Sequence, residues 1–402
     1  MPSQSGTGVY QVDFSTEAGA CTCADFKAGT VRCKHIYAAS YARIKEKNTG
    51  RDAAVNEELK AITAKRQTYP QVWPAYNRAQ TNEKDQFQKL LHTLCEGVKA
   101  HKDRKKGRPS LPLRDALFSC TFKVYSTVSA RRFMSDLRVS NDRGFISKTP
   151  HYNSIINYLE NPALFPILKA LVEQSSRPLR TIDDAFAVDS TGFMACRFTR
   201  WFDHKYGKPR EEHDWVKCHI ACGVKTNVVT AVEIGTREAN DAPFLPALVQ
   251  STAQNFKVGE VSADKAYGGR KNVEAIEAAG GAAFIAVKSN ATGEVGGGWE
   301  KMVKYFKFRQ DEFLGHYHKR SNVESTFSMI KRKFGDSLRS RTDVAMINET
   351  LCKLLCHNLV VLIHEMHELG IDPMDWGSFP VPKKIVVSEP GHARESVVNL
   401  SA

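Results

Sequence analysis

In the stretch "YHKRSNVESTFSMIK", Tyr317 to Lys331, one acid stands among cations. On an ideal helix at about 100° per residue, Tyr317, Arg320, Glu324 and Lys331 fall within an arc of roughly 60°. Val323, Phe327, Ile330 and Phe334 fill the neighbouring arc. The spacing therefore predicts a helix with an apolar edge that packs. Beside that edge runs a polar stripe of hydroxyl, guanidinium, carboxylate and ammonium. Arg332 and Lys333 are expected to point away from the stripe.

A carboxylate in such company suits a metal ion. A hard cation such as Mg²⁺ takes oxygen ligands from a few separate elements. Phosphodiester chemistry commonly uses two such ions, one on the attacking and one on the leaving oxygen. Asp189, after "FAV", and Asp264, after "EVSA", are two acids expected at strand ends. Glu324 is the third acid, and the cations on its face would bind phosphates. Asp183 and Asp184 rival Asp189 as the first acid. Asp189 is preferred because it follows the apolar strand, whereas the pair precedes it.

The elements that must position these acids are legible in outline. From Thr181 onward, "DAFAVDSTGF", "DWVKCHIACGV", "VVTAVEIG", "GEVSADKAYGG" and "AAFIAVKS" read as strands. "KTN" makes a hairpin turn between the second and third. "APFLPALVQSTAQNF" and "RKNVEAIEAAG" read as helices between later strands, and Met346 to Leu369 as a long one. Strands alternating with helices, with one hairpin, predict an α/β domain on a mixed sheet over residues 179–375. Residues 109–178 look helical. Residues 45–108 form a polar helical and basic linker, with a helix from about Glu83 to Val98 and the run "KAHKDRKKGRP". The tail, 376–402, is expected to be loose.

A second constellation lies near the start. "CTCADFKAGTVRCKH" places Cys21, Cys23, Cys33 and His35 as four ligands suited to tetrahedral Zn²⁺. A unit of residues 9–44 has little core of its own, so metal binding would supply much of its folding free energy. Lys27, Arg32 and Lys34 make phosphate contact feasible.

Bulk properties narrow the partners. The chain has 402 residues, enough for two or three domains, and 42% of them are apolar. Lys and Arg number 57 against 44 Asp and Glu, a net charge of +13 that favours a polyanion such as nucleic acid. The best apolar stretch, Leu351 to Ile363, is broken by Lys353, His357 and Asn358 and is too short to span a bilayer, so no membrane is expected. The N-terminus lacks the pattern of a secretory leader. Ten cysteines without one imply a reducing compartment.

The Tyr-Arg-Glu-Lys set at this spacing, "AVDSTGF" and "SADKAYGG" resemble the DDE transposases of bacterial insertion sequences. "LRDALF" and "GFISKTPHYNSIINYLE" resemble the helical segment before their catalytic domain, so the likeness covers roughly 108–370. It implies an RNase H-like mixed sheet flanked by helices, preceded by a helical DNA-binding region. By position, Asp189, Asp264 and Glu324 would hold Mg²⁺ or Mn²⁺, and Tyr317, Arg320 and Lys331 would contact DNA. The implied activity is cleavage at the inverted-repeat ends of an element, then strand transfer into target double-stranded DNA. A homodimer on DNA, acting at the nucleoid in the cytoplasm, goes with it. The alternatives are a nuclease that cuts without joining and an inert DNA-binding protein. The cysteine unit, with "YQV" before and "KHIYA" after, resembles the SWIM zinc finger, whose partner is DNA or protein.

Other signals carry less. "HEMH" lacks the four-residue histidine spacing of a helical zinc protease. Cys218, Cys222, Cys352 and Cys356 are expected to be buried thiols, and His219 a structural histidine. "ATGEVGGGW" reads as a Gly-rich loop with no phosphate-binding lysine.

Overall fold

A computed structural model describes residues 11–15, 20–27, 35–36, 39, 72–98, 111–195, 215–236, 238–287, 296–374, 376, 384–387 and 396–399. The chain divides into two compact units, Met1–Gln71 and Val72–Ala402. In the first, strands β1 (Val12–Asp13) and β2 (Ala20–Cys21) pair antiparallel, and the single turn α1 (Ala24–Lys27) follows. Cys21, Cys23 and Ile36 are buried there, with Val12, Phe14 and Phe26 packed on them.

The second unit begins with five helices. The first, α2 (Trp73–Glu96), buries the expected face of Phe87, Leu90, Leu91 and Leu94 and starts ten residues before Glu83. Then come α3 (Leu113–Ser126), α4 (Ala130–Asp142), α5 (Tyr152–Leu159) and α6 (Leu164–Ser176). Ser129 caps α4 by accepting from the Arg132 N–H. Almost every residue of α3 from Asp115 to Val124 is buried, so helices surround it.

The sheet has five strands: β3 (Ala185–Met194), β4 (Trp215–Gly223), β5 (Val229–Gly235), β6 (Glu260–Ala263) and β7 (Ala282–Ile285). Their order is β5-β4-β3-β6-β7. The first three form an antiparallel meander, and β6 and β7 join parallel to β3. Asn227, at φ 61°, makes the hairpin turn expected at "KTN". The parallel joins need crossovers, supplied by α7 (Leu245–Asn255) and α8 (Arg270–Ala278). After β7 come α9 (Gly297–Phe308), α10 (Gln310–Tyr317), a 3₁₀ turn at His318–Arg320, α11 (Ser321–Phe334) and α12 (Asp343–Glu368). Strands β8 (Lys384–Val387) and β9 (Ser396–Asn399) pair antiparallel near the C-terminus. The stretch read as a Gly-rich loop is partly helical, since Gly297, Gly298 and Trp299 open α9. Residues 291–295 of that stretch lie outside the described residues.

Helix α12 is the spine of this unit and packs against α2, α3 and α6. Its 26 residues are long and apolar enough to cross a membrane, more than the short interrupted run read from the sequence. Its apolar window is 94% buried inside the protein, which makes it a core helix. Its polar residues are consumed internally. Asn358, fully buried, accepts from the Val229 N–H at 2.8 Å and donates to the carbonyls of Val229 and Val172. It thereby stitches α12 to β5 and α6. The four thiols are buried as expected, and burial pushes Cys222 and Cys352 up to about 12.

Asn358→Ala should orphan the Val229 N–H and C=O in the core. The expected loss is about 2–4 kcal/mol, from a buried unsatisfied group costing about 1–3 kcal/mol. Urea unfolding followed by circular dichroism measures it; a loss below about 0.5 kcal/mol would contradict the stitch.

Candidate active site

Asp189 lies in the middle of β3, not at its end. The strand continues to Met194 because Ser190 to Met194 pair with His219 to Trp215 of β4. Toward β6 the ladder ends at Val188–Ala263, so Asp189 and Asp264 are each the next residue after the last paired position. Asp264 opens a 3₁₀ turn, Lys265–Tyr267, and its carboxylate accepts the Lys265 N–H at 2.7 Å.

Glu324 arrives from α11, whose buried edge is the expected Val323, Phe327, Ile330 and Phe334, joined by Thr326. The helix packs on β3 and β4 through that edge. Arg320 bridges the acids: one guanidinium nitrogen is 3.2 Å from Asp189 Oδ2 and the other 2.7 Å from Glu324 Oε1. The Lys331 ammonium donates to Thr191 Oγ1 at 2.7 Å and sits 5.3 Å above the Phe193 ring. Asp189, Ser190, Thr191, Glu324 and Lys331 line an open groove of about 680 Å³.

The ideal-helix wheel needs correction at one end. The 3₁₀ turn separates Tyr317, the last residue of α10, from Glu324, so the four residues do not share one continuous helix. Arg320, Glu324 and Lys331 still meet in one place. Tyr317 is half-buried and close enough to favour the charged form of Arg320. Arg332 also differs from expectation, because it lines the groove, as does Asp336. Lys333 does point elsewhere, to Glu83 of α2 at 2.6 Å.

Electrostatics fit a shared site. Burial pushes the Asp189 carboxyl above its ordinary value, and Asp264 and Glu324 push it further. The Ser190 N–H and Arg320 oppose this. For Arg320, burial is outweighed by Glu324, Tyr317 and Asp189, which hold the guanidinium charged. Burial pulls Lys331 down. The rivals are structural. Asp183, 2% exposed, accepts the Lys225 N–H and the Thr226 hydroxyl in the β4–β5 turn, while Asp184 pairs with Lys225 at the surface. Three carboxylates from three elements are an oxygen donor set appropriate to a hard divalent cation.

In the N-terminal unit, the ligand atoms of Cys21, Cys23 and His35 all lie within 4.8 Å of one another, and all three residues are buried. Tetrahedral zinc with bonds of about 2.0–2.3 Å spaces its ligand atoms at about 3.3–3.8 Å. The thiol and imidazole donors thus fit zinc in kind and are gathered closely enough to face one ion. Cys33 lies outside the described residues.

A mixed five-stranded sheet flanked by helices, with acids meeting beside its central strand, is the fold of an RNase H-like DDE domain. Comparison with known families agrees: residues 180–359 match the transposase DDE domain and residues 10–44 the SWIM zinc finger. A curated relative, the probable transposase for insertion sequence element ISA1214 of Archaeoglobus fulgidus, is 27% identical over 158 residues. That match covers 39% of this chain and 47% of the relative, about half its length. Residues 180–359 are thus similar to the transposase DDE domain, residues 10–44 to the SWIM zinc finger, and part of the chain to an insertion-sequence transposase.

A raised folded-state pKa on an acid means that ionising it costs stability, fully so above that pKa and not at all well below the unfolded value. Asp189→Asn should therefore raise the melting temperature at pH 7 in EDTA by a few degrees. The gain should vanish near pH 3 and shrink when Mg²⁺ is added. Melting curves across that pH range test this; a variant less stable at pH 7 in EDTA would refute the sign.

Proposed function

We propose that the protein is a cut-and-paste DNA transposase. It recognises the ends of its element, hydrolyses a phosphodiester there to free a 3′-hydroxyl, and joins that hydroxyl to target DNA. The observation that carries this reading is the meeting of Asp189 and Glu324 through Arg320, with Lys331 lining the same open groove as the two acids and Asp264 near enough to disfavour the Asp189 charge. In this reading the three acids hold Mg²⁺ or Mn²⁺, which when bound supplies Lewis-acid activation of the phosphoryl centre. Arg320, already the partner of Asp189 and Glu324, orients both carboxylates and offers its charge to a phosphate oxygen. Lys331, steadied by Thr191, binds a neighbouring phosphate, and Tyr317 flanks the same backbone.

The helical region 110–175 and the basic linker 99–108 hold the duplex, and the net charge of +13 supports strongly salt-dependent binding. Two element ends are paired by a homodimer at the nucleoid, in the cytoplasm. Residues 179–375 carry the chemistry, and 376–402 trail from it. The finger at 9–44 takes one Zn²⁺ through Cys21, Cys23, Cys33 and His35 and contacts DNA or protein.

Labelled inverted-repeat ends incubated with Mn²⁺ and a target plasmid should yield joined products, and Asp264→Asn or Glu324→Gln should reduce them to background. Cleavage without joining would replace this reading with a nuclease. Binding without either product, unaffected by those substitutions, would replace it with an inert binding protein.

Native mass spectrometry of the full chain should find one Zn²⁺, lost on Cys21→Ser or Cys33→Ser. A metal-free protein with an intact N-terminal fold would remove the zinc assignment.

A further inference from the structure

Tyr267 is fully buried and closes the turn that Asp264 opens. Its N–H donates to the Asp264 carbonyl at 2.9 Å. Its own carbonyl accepts from Asn272 Nδ2 at 2.7 Å, and the same amide reaches the Ala242 carbonyl at 2.9 Å. The turn is thus fixed to the end of β6 and the approach to α7. The phenol then crosses beneath the sheet. Its oxygen is 3.1 Å from His219 Nδ1, and the Ser190 side chain lies near enough to oppose the effect of burial on the phenol. Ser190 follows Asp189 in β3, and His219 of β4 is paired with Ser190 in the ladder. One hydroxyl therefore lies beside the strand of the first acid and bonds its neighbour, while its backbone belongs to the turn of the second acid.

The seat for that hydroxyl is rigid. His219 is fully buried and stacks on Phe244 with ring centroids 4.1 Å apart. On its other side a Cβ at Gly235 would lie 3.0 Å from His219 Nε2, so a side chain there would press on the ring. Lys217 and Asp241 pair at 2.6 Å beside it, with an Asp241 oxygen 3.9 Å from Nδ1. Burial pulls His219 down to about 4 and raises Tyr267, so the imidazole is neutral and the phenol keeps its proton. The Tyr267 oxygen is the hydrogen-bond partner of His219 Nδ1, while His219 Nε2 is buried without one among the described residues. Core packing alone would need the ring of Tyr267 but not its oxygen.

We infer that Tyr267 is a positioning residue whose hydroxyl, seated between Ser190 and His219, fixes Asp264 relative to Asp189 and thereby sets the affinity of the site for a divalent cation. The inference rests on the reading of those two acids as ligands.

Tyr267→Phe keeps the ring and removes the oxygen. Mn²⁺ binding to the full-length protein, followed by electron paramagnetic resonance, should weaken about tenfold, the usual scale for losing a group that orients a ligand. The Mn²⁺ concentration for half-maximal cleavage should rise by the same factor, with the rate at saturating ion largely kept. His219→Phe, which keeps the stack, should match it, and the double variant should be no worse than either single one. Unchanged Mn²⁺ affinity in Tyr267→Phe would overturn the proposal even if His219→Phe fails to fold. So would additive losses in the double variant. The controls Asp189→Asn and Asp264→Asn separate the two levels. If they leave Mn²⁺ binding intact, the ligand reading falls and the positioning claim with it. If they abolish it while Tyr267→Phe does nothing, only the positioning claim falls.

Discussion

Carboxylates gathered at one site repel one another, and the sheet-bearing part of this molecule is arranged around that repulsion. Asp189 feels it directly, because burial, Asp264 and Glu324 all disfavour its charge. Three things oppose the repulsion. The parallel register of β3 and β6 holds two of the acids, through the backbone, each one residue past the last paired position. The buried edge of α11 drives Glu324 against the sheet through apolar packing. Arg320 then bridges two of the acids. Exposed ion pairs contribute only about 0–1 kcal/mol, which applies to the half of the bridge at Glu324, 56% exposed. The half at Asp189, 22% exposed, is screened less.

The far end of α11 is tied just as firmly. Gly335, at φ 84°, turns the chain out of the helix in a conformation other residues avoid. Buried Lys353 of α12 donates to the carbonyls of Gly335 and Ser337, and Glu349 accepts the N–H groups of Arg339 and Ser340. The Leu338 N–H returns to the Met194 carbonyl at the end of β3. Lys333 and Tyr125 meet on Glu83 of α2. The helices before the sheet and the helix bearing Glu324 therefore share one core, with α12 between them. A displacement of the helical region would be felt at Glu324 through Lys333 and α12.

Much of this was legible because the chemistry needs particular residue types at particular intervals. Asp189, Asp264 and Glu324 stood out as acids beside apolar runs, and the strands and crossover helices followed from periodicity. The errors have physical causes. Asp189 looked terminal because "STGF" is a poor strand sequence, yet ladder bonds to β4 extend β3 through it. The wheel from Tyr317 assumed unbroken helix, and periodicity does not register a single 3₁₀ turn. Helices α9 and α10 passed unread behind a glycine run. Arg332 was assigned outward by angle alone, whereas a long side chain reaches around its helix. Tyr267 stood within a recognised block, but only the ladder could show that it meets Ser190 and His219.

Strand β3 also works as a ruler for α11. Alternate residues of a strand share one face at about 6.6–7 Å intervals. On that face Asp189 receives Arg320, Thr191 receives Lys331, and Phe193 lies under both Lys331 and Lys353. Asp189 on β3 therefore faces Glu324 and Lys331 of α11 and Arg320 of the 3₁₀ turn that leads into it. A shift of α11 along β3 would misplace carboxylate, guanidinium and ammonium together, and their mutual geometry would survive small motions of either element. Ser190, between Asp189 and Thr191, lines the groove with them and is paired in the ladder with buried His219 of β4. The open polar site and the buried groups beside it therefore meet at one residue of β3.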